Sequence, residues 1–249
     1  MLRIIPRLDI KAPNLVKGIR LEGLRKLGNP AHFAERYYEQ GADELIYQDI
    51  VASLYERNGI EYLIRETAER IFIPLTVGGG IRTLADIQSI LRAGADKICL
   101  NTAAIKNPKF ITEAANRFGR QCIVVVIEAI RQSDGVWKAF TDNGREHSGR
   151  DAVEWAMEAV ELGAGELLVT SVDREGTGTG FELELLKRLA LEVPVPVIAH
   201  GGAGKVEDIV DVAKLGVDGV AVAGLLHYGR ATIADIKHAL AGAGVEVRE

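Results

Sequence analysis

Gly41-Ala42-Asp43-Glu44-Leu45 is echoed by Gly163-Ala164-Gly165-Glu166-Leu167, and that echo decides the fold. At the same spacing Gly79-Gly80 falls on Gly201-Gly202, Asp86-Ile87 on Asp208-Ile209, and Gly94 and Asp96 on Gly216 and Asp218. The second half of the chain therefore reads as a copy of the first. A period this long is no solenoid; it fits two similar half-barrels, each with an equivalent site. Between the matched landmarks, short β-branched runs alternate with stretches of helical periodicity. The predicted strands are Arg3–Leu8, Glu44–Asp49, Ile73–Val77, Lys97–Leu100, Ile123–Ile127, Glu166–Thr170, Val195–Ala199 and Gly219–Val222. The predicted helices lie near His32–Gln40, Ile60–Ile71, Leu84–Ala93, Pro108–Phe118, Asp151–Leu162, Leu183–Leu191, Val206–Leu215 and Ile233–Ala241.

Several of these strands are continuous apolar runs, as expected of parallel strands buried on both faces. Eight strand–helix units in 249 residues suit an α/β protein closed as a (βα)8 TIM barrel better than its competitor, an open doubly wound sheet. One barrel domain over residues 1–249 is expected, with no linker to divide it. The polar stretch Arg131–Arg150, with turns at Asp134-Gly135 and Asp142-Asn143-Gly144, reads as a hairpin inserted after the fifth strand.

Bulk composition narrows the function classes. Apolar residues at 47% supply a core, and a net charge of −5 argues against a nucleic-acid or acidic-membrane binder. No apolar run approaches the roughly 20 residues that would span a bilayer. Met1-Leu2-Arg3-Ile4-Ile5-Pro6 runs directly into a strand, without the layout of a signal peptide. Cys99 and Cys122 sit in apolar runs and read as reduced core residues of a cytoplasmic protein. No Ser-His-Asp spacing, metal-binding Cys/His cluster or dinucleotide fingerprint stands out, so neither a metal nor a cofactor is expected.

Two glycine clusters carry the first functional reading. Gly78-Gly79-Gly80 follows the third strand, and His200-Gly201-Gly202-Ala203-Gly204 follows the seventh. Glycine lets consecutive backbone N–H groups converge on an anion, and the next helix N-terminus adds favourable partial charge. Either cluster alone could be a tight turn; two at one repeat position point to phosphate. Asn101-Thr102 after the fourth strand and Ala223-Gly224 after the eighth are their companions. Two grips on opposite sides of one barrel mouth imply a long bis-phosphate substrate. The second reading concerns carboxylates. Asp9 ends the first strand, Asp49 the second and Glu128 the fifth, while Asp173 follows the sixth. Barrel chemistry is carried at these C-terminal strand ends, and Asp9 and Glu128 hold corresponding positions in the two halves, as an acid/base pair would. An ion pair or a cap is the plainer role for each. His227 reads as structural, while His200, in a phosphate loop, could touch ligand.

Arg3-Ile4-Ile5-Pro6-x-Leu8-Asp9, Val16-Lys17-Gly18, Asp43-Glu44-Leu45, Leu75-Thr76-Val77-Gly78-Gly79-Gly80-Ile81, Asn101-Thr102-Ala103-Ala104, Thr170-Ser171-x-Asp173-Arg174-x-Gly176-Thr177 and Gly201-Gly202-Ala203-Gly204 span nearly the whole chain. Together they resemble the cyclase subunit of imidazole glycerol phosphate synthase, and differ as a set from the related phosphoribosyl-formimino isomerase. The resemblance implies a separate glutaminase subunit docked at the N-terminal barrel face. Ammonia would pass through the barrel to phosphoribulosyl-formimino-AICAR phosphate, giving imidazole glycerol phosphate and AICAR. It further implies Asp9 and Glu128 as the catalytic pair and Lys17, in a mobile loop after the first strand, as a cover for the substrate. Asp49, Thr170 and Asp173 would line the pocket with Gly79, Gly80, Asn101, Thr102, Gly176, Gly201, Gly202, Ala223 and Gly224. Arg3, Glu44, Lys97 and Glu166, all at strand starts, match the family's ammonia gate; a structural salt-bridge layer is the plainer account.

Two positions depart from the family pattern. The fifth-strand aspartate is Glu128, and the residue before Leu8, usually cysteine, is Arg7. Strand alternation puts Arg3, Ile5, Arg7 and Asp9 on one face, so Arg7 should point into the barrel beneath Asp9. A buried guanidinium needs a partner, and Glu128, Asp9 or both are expected to supply it, which lowers the carboxylate's proton affinity and weakens it as a general acid or base. The loop Lys11-Ala12-Pro13-Asn14 also replaces the family's usual Lys-Asp-Gly stretch. These departures support a second reading, a cyclase-like paralogue that passes glutamine-derived ammonia to a sugar amidotransferase in surface polysaccharide synthesis.

Overall fold

The computed structural model describes residues 1–20, 22–52 and 59–248. The strands in chain order are β1 (Arg3–Lys11), β2 (Asn14–Ile19), β3 (Glu22–Gly28), β4 (Leu45–Asp49), β5 (Leu75–Gly78) and β6 (Lys97–Leu100). They continue as β7 (Ile123–Arg131), β8 (Trp137–Thr141), β9 (Glu146–Asp151), β10 (Glu166–Ser171), β11 (Val197–His200) and β12 (Gly219–Val222). Eight of them pair in parallel in the order β10-β11-β12-β1-β4-β5-β6-β7, and β7 pairs back onto β10. The sheet is thus a closed barrel with helices between its strands, the (βα)8 TIM barrel expected from the repeat.

Alternation along each strand sorts side chains into two cores. Ile4, Leu8 and Ile10 of β1 join the large cluster packed under the helices. Ile5 instead joins Ile46, Cys99, Val124, Val126, Leu168, Ile198 and Ala221 in a smaller apolar cluster inside the barrel. Arg7 and Asp9 follow Ile5 on that inner face, and both are buried. Neither cysteine forms a disulfide.

The repeat is visible in the backbone. Predicted strands Ile73–Val77 and Val195–Ala199 begin two residues late, at Leu75 and Val197, because Pro74 and Pro196 have no N–H for the ladder. Both prolines still accept, from the Leu45 and Leu167 amides. Asp96 takes the Leu75 amide and its counterpart Asp218 the Val197 amide, at 2.8 and 2.9 Å. Asp86 and Asp208 likewise cap the backbone opening their helices, Leu84–Ala93 and Val206–Ala213.

Each half also carries an antiparallel hairpin that lengthens its first strand. β1 runs past Leu8 because β2 pairs with it, Asp9 opposite Val16, and β7 runs past Ile127 because β8 pairs with it, Glu128 opposite Phe140. The second hairpin was expected; the first corrects the sequence reading, since Lys17 sits on a strand and not in a loop. The first helix begins at Pro30, earlier than predicted, because Asn29 caps Ala31 and proline suits a first turn. Glu61–Ala68 is shorter than predicted, and short helices Thr102–Lys106 and Gly224–His227 follow β6 and β12. Among the described residues no helix is long and apolar enough to cross a membrane.

Candidate active site

Asp9 is buried between two cations. Its Oδ1 accepts from Arg7 Nε at 3.1 Å, and its Oδ2 lies 3.6 Å from Lys17 Nζ. Burial works against its charge, but Arg7 and then Lys17 outweigh it and hold the carboxyl below the ordinary carboxylate range. Arg7 is itself buried and fully engaged: Nη1 donates to His200 Nδ1 at 3.1 Å and, more weakly, to Thr170 Oγ1 at 3.4 Å. A guanidinium can only donate, so Nδ1 accepts and the His200 proton sits on Nε2. Burial, then Arg7 and Lys17, push His200 well below the ordinary imidazole range. His227 is structural: Nε2 donates to the Arg7 carbonyl at 3.1 Å, and Nδ1 accepts from the Tyr37 hydroxyl at 2.6 Å.

Glu128, at the corresponding strand end of the second half, has no cation in contact among the described residues. Its Oε2 accepts from the Gly144 amide at 3.0 Å, and the Asn101 side chain is its other hydrogen-bonding neighbour. Burial pushes this carboxyl up to about 7, against the Gly144 bond and the more distant Arg7. The expected Arg7 partnership therefore falls to Asp9, in direct contact, while burial makes Glu128 hold its proton more tightly than an ordinary carboxyl.

Two cavities flank the pair. One, about 790 Å³, is lined by Lys17, Gly176, Gly201, Gly202, Ala223 and Gly224. The other, about 160 Å³, is lined by Asp49, Gly79, Gly80, Asn101, Thr102 and Glu128. Each glycine cluster is shaped by necessity. Gly79 has φ +100, and a Cβ there would run into the Asp49 carbonyl; Gly202 has φ +115, and a Cβ there would run into that of Gly180. Asp9, Thr170 and Asp173 line neither cavity. Asp173 accepts from the Arg131 amide at 2.8 Å on the rim. Asp49 shapes its own turn, accepting from the Val51 and Ala52 amides at 3.0 Å.

The sequence reading missed Glu175. Its buried carboxylate pairs with Lys17, and its carbonyl accepts from the Arg20 amide at 2.9 Å, so it fastens the β2–β3 hairpin to the loop after β10. The available signal was a carboxylate beside Arg174 at an unspecified motif position. The turn Asp142-Asn143-Gly144 was read only as a hairpin tip; it covers the smaller cavity, with Asn143 Nδ2 donating to the Ile50 carbonyl at 2.6 Å.

At the opposite barrel end the four strand-start charges close a ring. Arg3 reaches Glu44 at 2.8 Å and Glu166 at 2.6 Å, and Lys97 reaches the same two carboxylates at 3.1 and 3.0 Å. Every charge has two opposite partners. Among the described residues no group of three or more His, Cys, Asp or Glu side chains is placed to hold a metal ion.

The description "histidine biosynthesis protein" belongs to the family that matches residues 3–232. An imidazole glycerol phosphate synthase subunit HisF from Legionella pneumophila is 58% identical over 206 residues, 83% of this chain and 97% of its own. The subunit of the same name from Streptococcus sanguinis (strain SK36) is 46% identical over 247 residues, 99% of this chain and 98% of its own.

Proposed function

Because the chain belongs to the histidine biosynthesis protein family, we propose that it is the ammonia-dependent, ring-closing subunit of an imidazole glycerol phosphate synthase. The observation that carries this reading is the pair of carboxyls at one barrel mouth, one paired with cations and one buried without them, beside two glycine-walled cavities. Phosphoribulosyl-formimino-AICAR phosphate has a phosphate for each cavity and a ketose carbonyl between them. Adding ammonia to that carbonyl and expelling water needs one group to take a proton from nitrogen and another to give one to the departing oxygen. Asp9 is the base and Glu128 the acid, an assignment set by environments that push two like groups apart. Substrate phosphate would draw Lys17 away from Glu175 and open the hairpin that covers Asp9. Further reaction closes the imidazole ring and releases AICAR.

A glutaminase subunit docks at the N-terminal face, where the ring of Arg3, Glu44, Lys97 and Glu166 admits ammonia. The chain works as one barrel domain over residues 1–249, in the cytoplasm, without nucleic acid or membrane. Both relatives bear the synthase-subunit name, which favours this reading over ammonia delivery to a sugar amidotransferase. The test is purified protein with the bis-phosphate and an ammonium salt, following substrate loss and imidazole glycerol phosphate. Turnover is expected; tight binding without turnover would move the reading to the delivery paralogue.

A further inference from the structure

His200 ends β11 on the inner face of the barrel, two residues beyond Ile198 of the inner apolar cluster. It is 3% exposed, and it lines the larger cavity with Gly201, Gly202, Ala221 and Ala223. Two donors meet one side of its ring, since Arg7 Nη1 and the Thr170 hydroxyl each lie 3.1 Å from Nδ1. A guanidinium only donates, so the ring proton is fixed on Nε2. Among the described residues Nε2 has no hydrogen-bond partner, yet it is not one of the sealed, unpartnered core atoms such as Trp155 Nε1. The residue opposite on β12 is Ala221, which has no side-chain acceptor to offer. Arg7 and Lys17 beside the buried ring disfavour a second proton, so the donor is neutral. A fixed N–H on a buried ring beside a cavity calls for an acceptor on the ligand.

The place of the ring says which ligand atom it meets. Gly201 and Gly202 follow His200 directly, so the ring stands one residue inward of the backbone that suits phosphate. On its inner side Arg7 bonds His200 through Nη1 and Asp9 through Nε. His200 therefore lies beside the way from the glycine pair to Asp9. A ligand with its phosphate at the glycines passes the ring with the sugar carbons that adjoin the ester, and these carry hydroxyls. We infer that His200 Nε2–H holds a hydroxyl oxygen next to the ligand's phosphate, so that the larger cavity selects phosphorylated sugars over phosphate itself. Phosphate has the glycine amides and the cavity-lining Lys17, whereas a neutral donor matches a neutral hydroxyl oxygen. This inference rests on the reading above that the larger cavity takes one phosphate end of the substrate, and adds what recognises the sugar beside it.

The experiment is calorimetry of ribose 5-phosphate and of inorganic phosphate with the unmodified protein, His200→Leu and His200→Gln, whose amide can donate as Nε2 does. The unmodified protein should prefer ribose 5-phosphate. In His200→Leu that preference is expected to fall about fivefold, the worth of one hydrogen bond, with phosphate affinity within about twofold, and His200→Gln should restore it. Both affinities falling together, an unchanged preference, or no preference in the unmodified protein would overturn the inference. Ring-nitrogen resonances of the unmodified protein judge it without a variant. A bare Nδ1 and an Nε2–H signal moved more by ribose 5-phosphate than by phosphate uphold it; a proton on Nδ1, or equal movement, removes it. Should the bis-phosphate not be turned over while the sugar preference holds, the ring-closing reading falls and this contact stands.

Discussion

Asp9 and Glu128 stand at matching places in two halves of one barrel, yet their surroundings shift their proton affinities in opposite directions. Asp9 touches Arg7 and faces Lys17, while Glu175 from the loop after β10 and His227 complete the groups around it. Among the described residues Glu128 meets the neutral Gly144 amide and Asn101 side chain, with Arg7 and Asp142 farther off. The repeat sets where a carboxyl stands; side chains outside the repeat set what it can do. The charge ring at the other barrel end is the counter-case, since two acids and two bases there compensate one another symmetrically.

The largest effect should come from removing the charged member. Asp9→Asn is expected to lower ammonium-driven turnover by about 10³-fold, within the range for a lost general base, while calorimetry still finds the bis-phosphate bound. Retained turnover would break the contrast between the halves. Arg7→Met makes the two sites more alike, leaving Lys17 as the ion-pair partner of Asp9. Stability in urea is expected to drop by about 3 kcal/mol, as when one member of a buried pair is removed, and the acid limb of the rate profile should move to higher pH. An unchanged limb would show that Arg7 does not tune Asp9.

Glu128→Gln tests the neutral member through stability. A carboxyl raised to about 7 in the folded chain binds its proton more tightly there than when unfolded. Its contribution is therefore complete below its ordinary value and lost as pH rises through about 7, a change on the order of 3 kcal/mol. The difference between wild-type and Glu128→Gln stability should slope across that window; a flat difference would place Glu128 in an ordinary environment. The smallest effect belongs to the ring. Lys97→Met should cost about 1 kcal/mol, because partly exposed pairs are screened, and should leave ammonium-driven turnover within about twofold, as expected of a group remote from the chemistry.

Much of this architecture is legible in the sequence because it rests on local signals. The glycine pairs, the strand-start carboxylates and the inward alternation of Arg3, Ile5, Arg7 and Asp9 are patterns of spacing, and the structure places them as spacing implies. The β2–β3 hairpin was not legible, since a strand such as Glu22–Gly28, largely exposed and without apolar alternation, carries no periodic signal. Glu175 escaped for another reason: its role lies in a long-range contact with Lys17, which no local pattern encodes. The choice of Arg7 between Asp9 and Glu128 likewise depended on side-chain reach across the barrel.

The central claim, Asp9 charged as base and Glu128 protonated as acid, is tested most directly by kcat/KM for the bis-phosphate against pH, with free ammonia held constant. A descending limb near pH 7 that disappears in Glu128→Gln is the expected result. An ascending limb there that disappears in the same variant would make Glu128 the base and contradict the assignment.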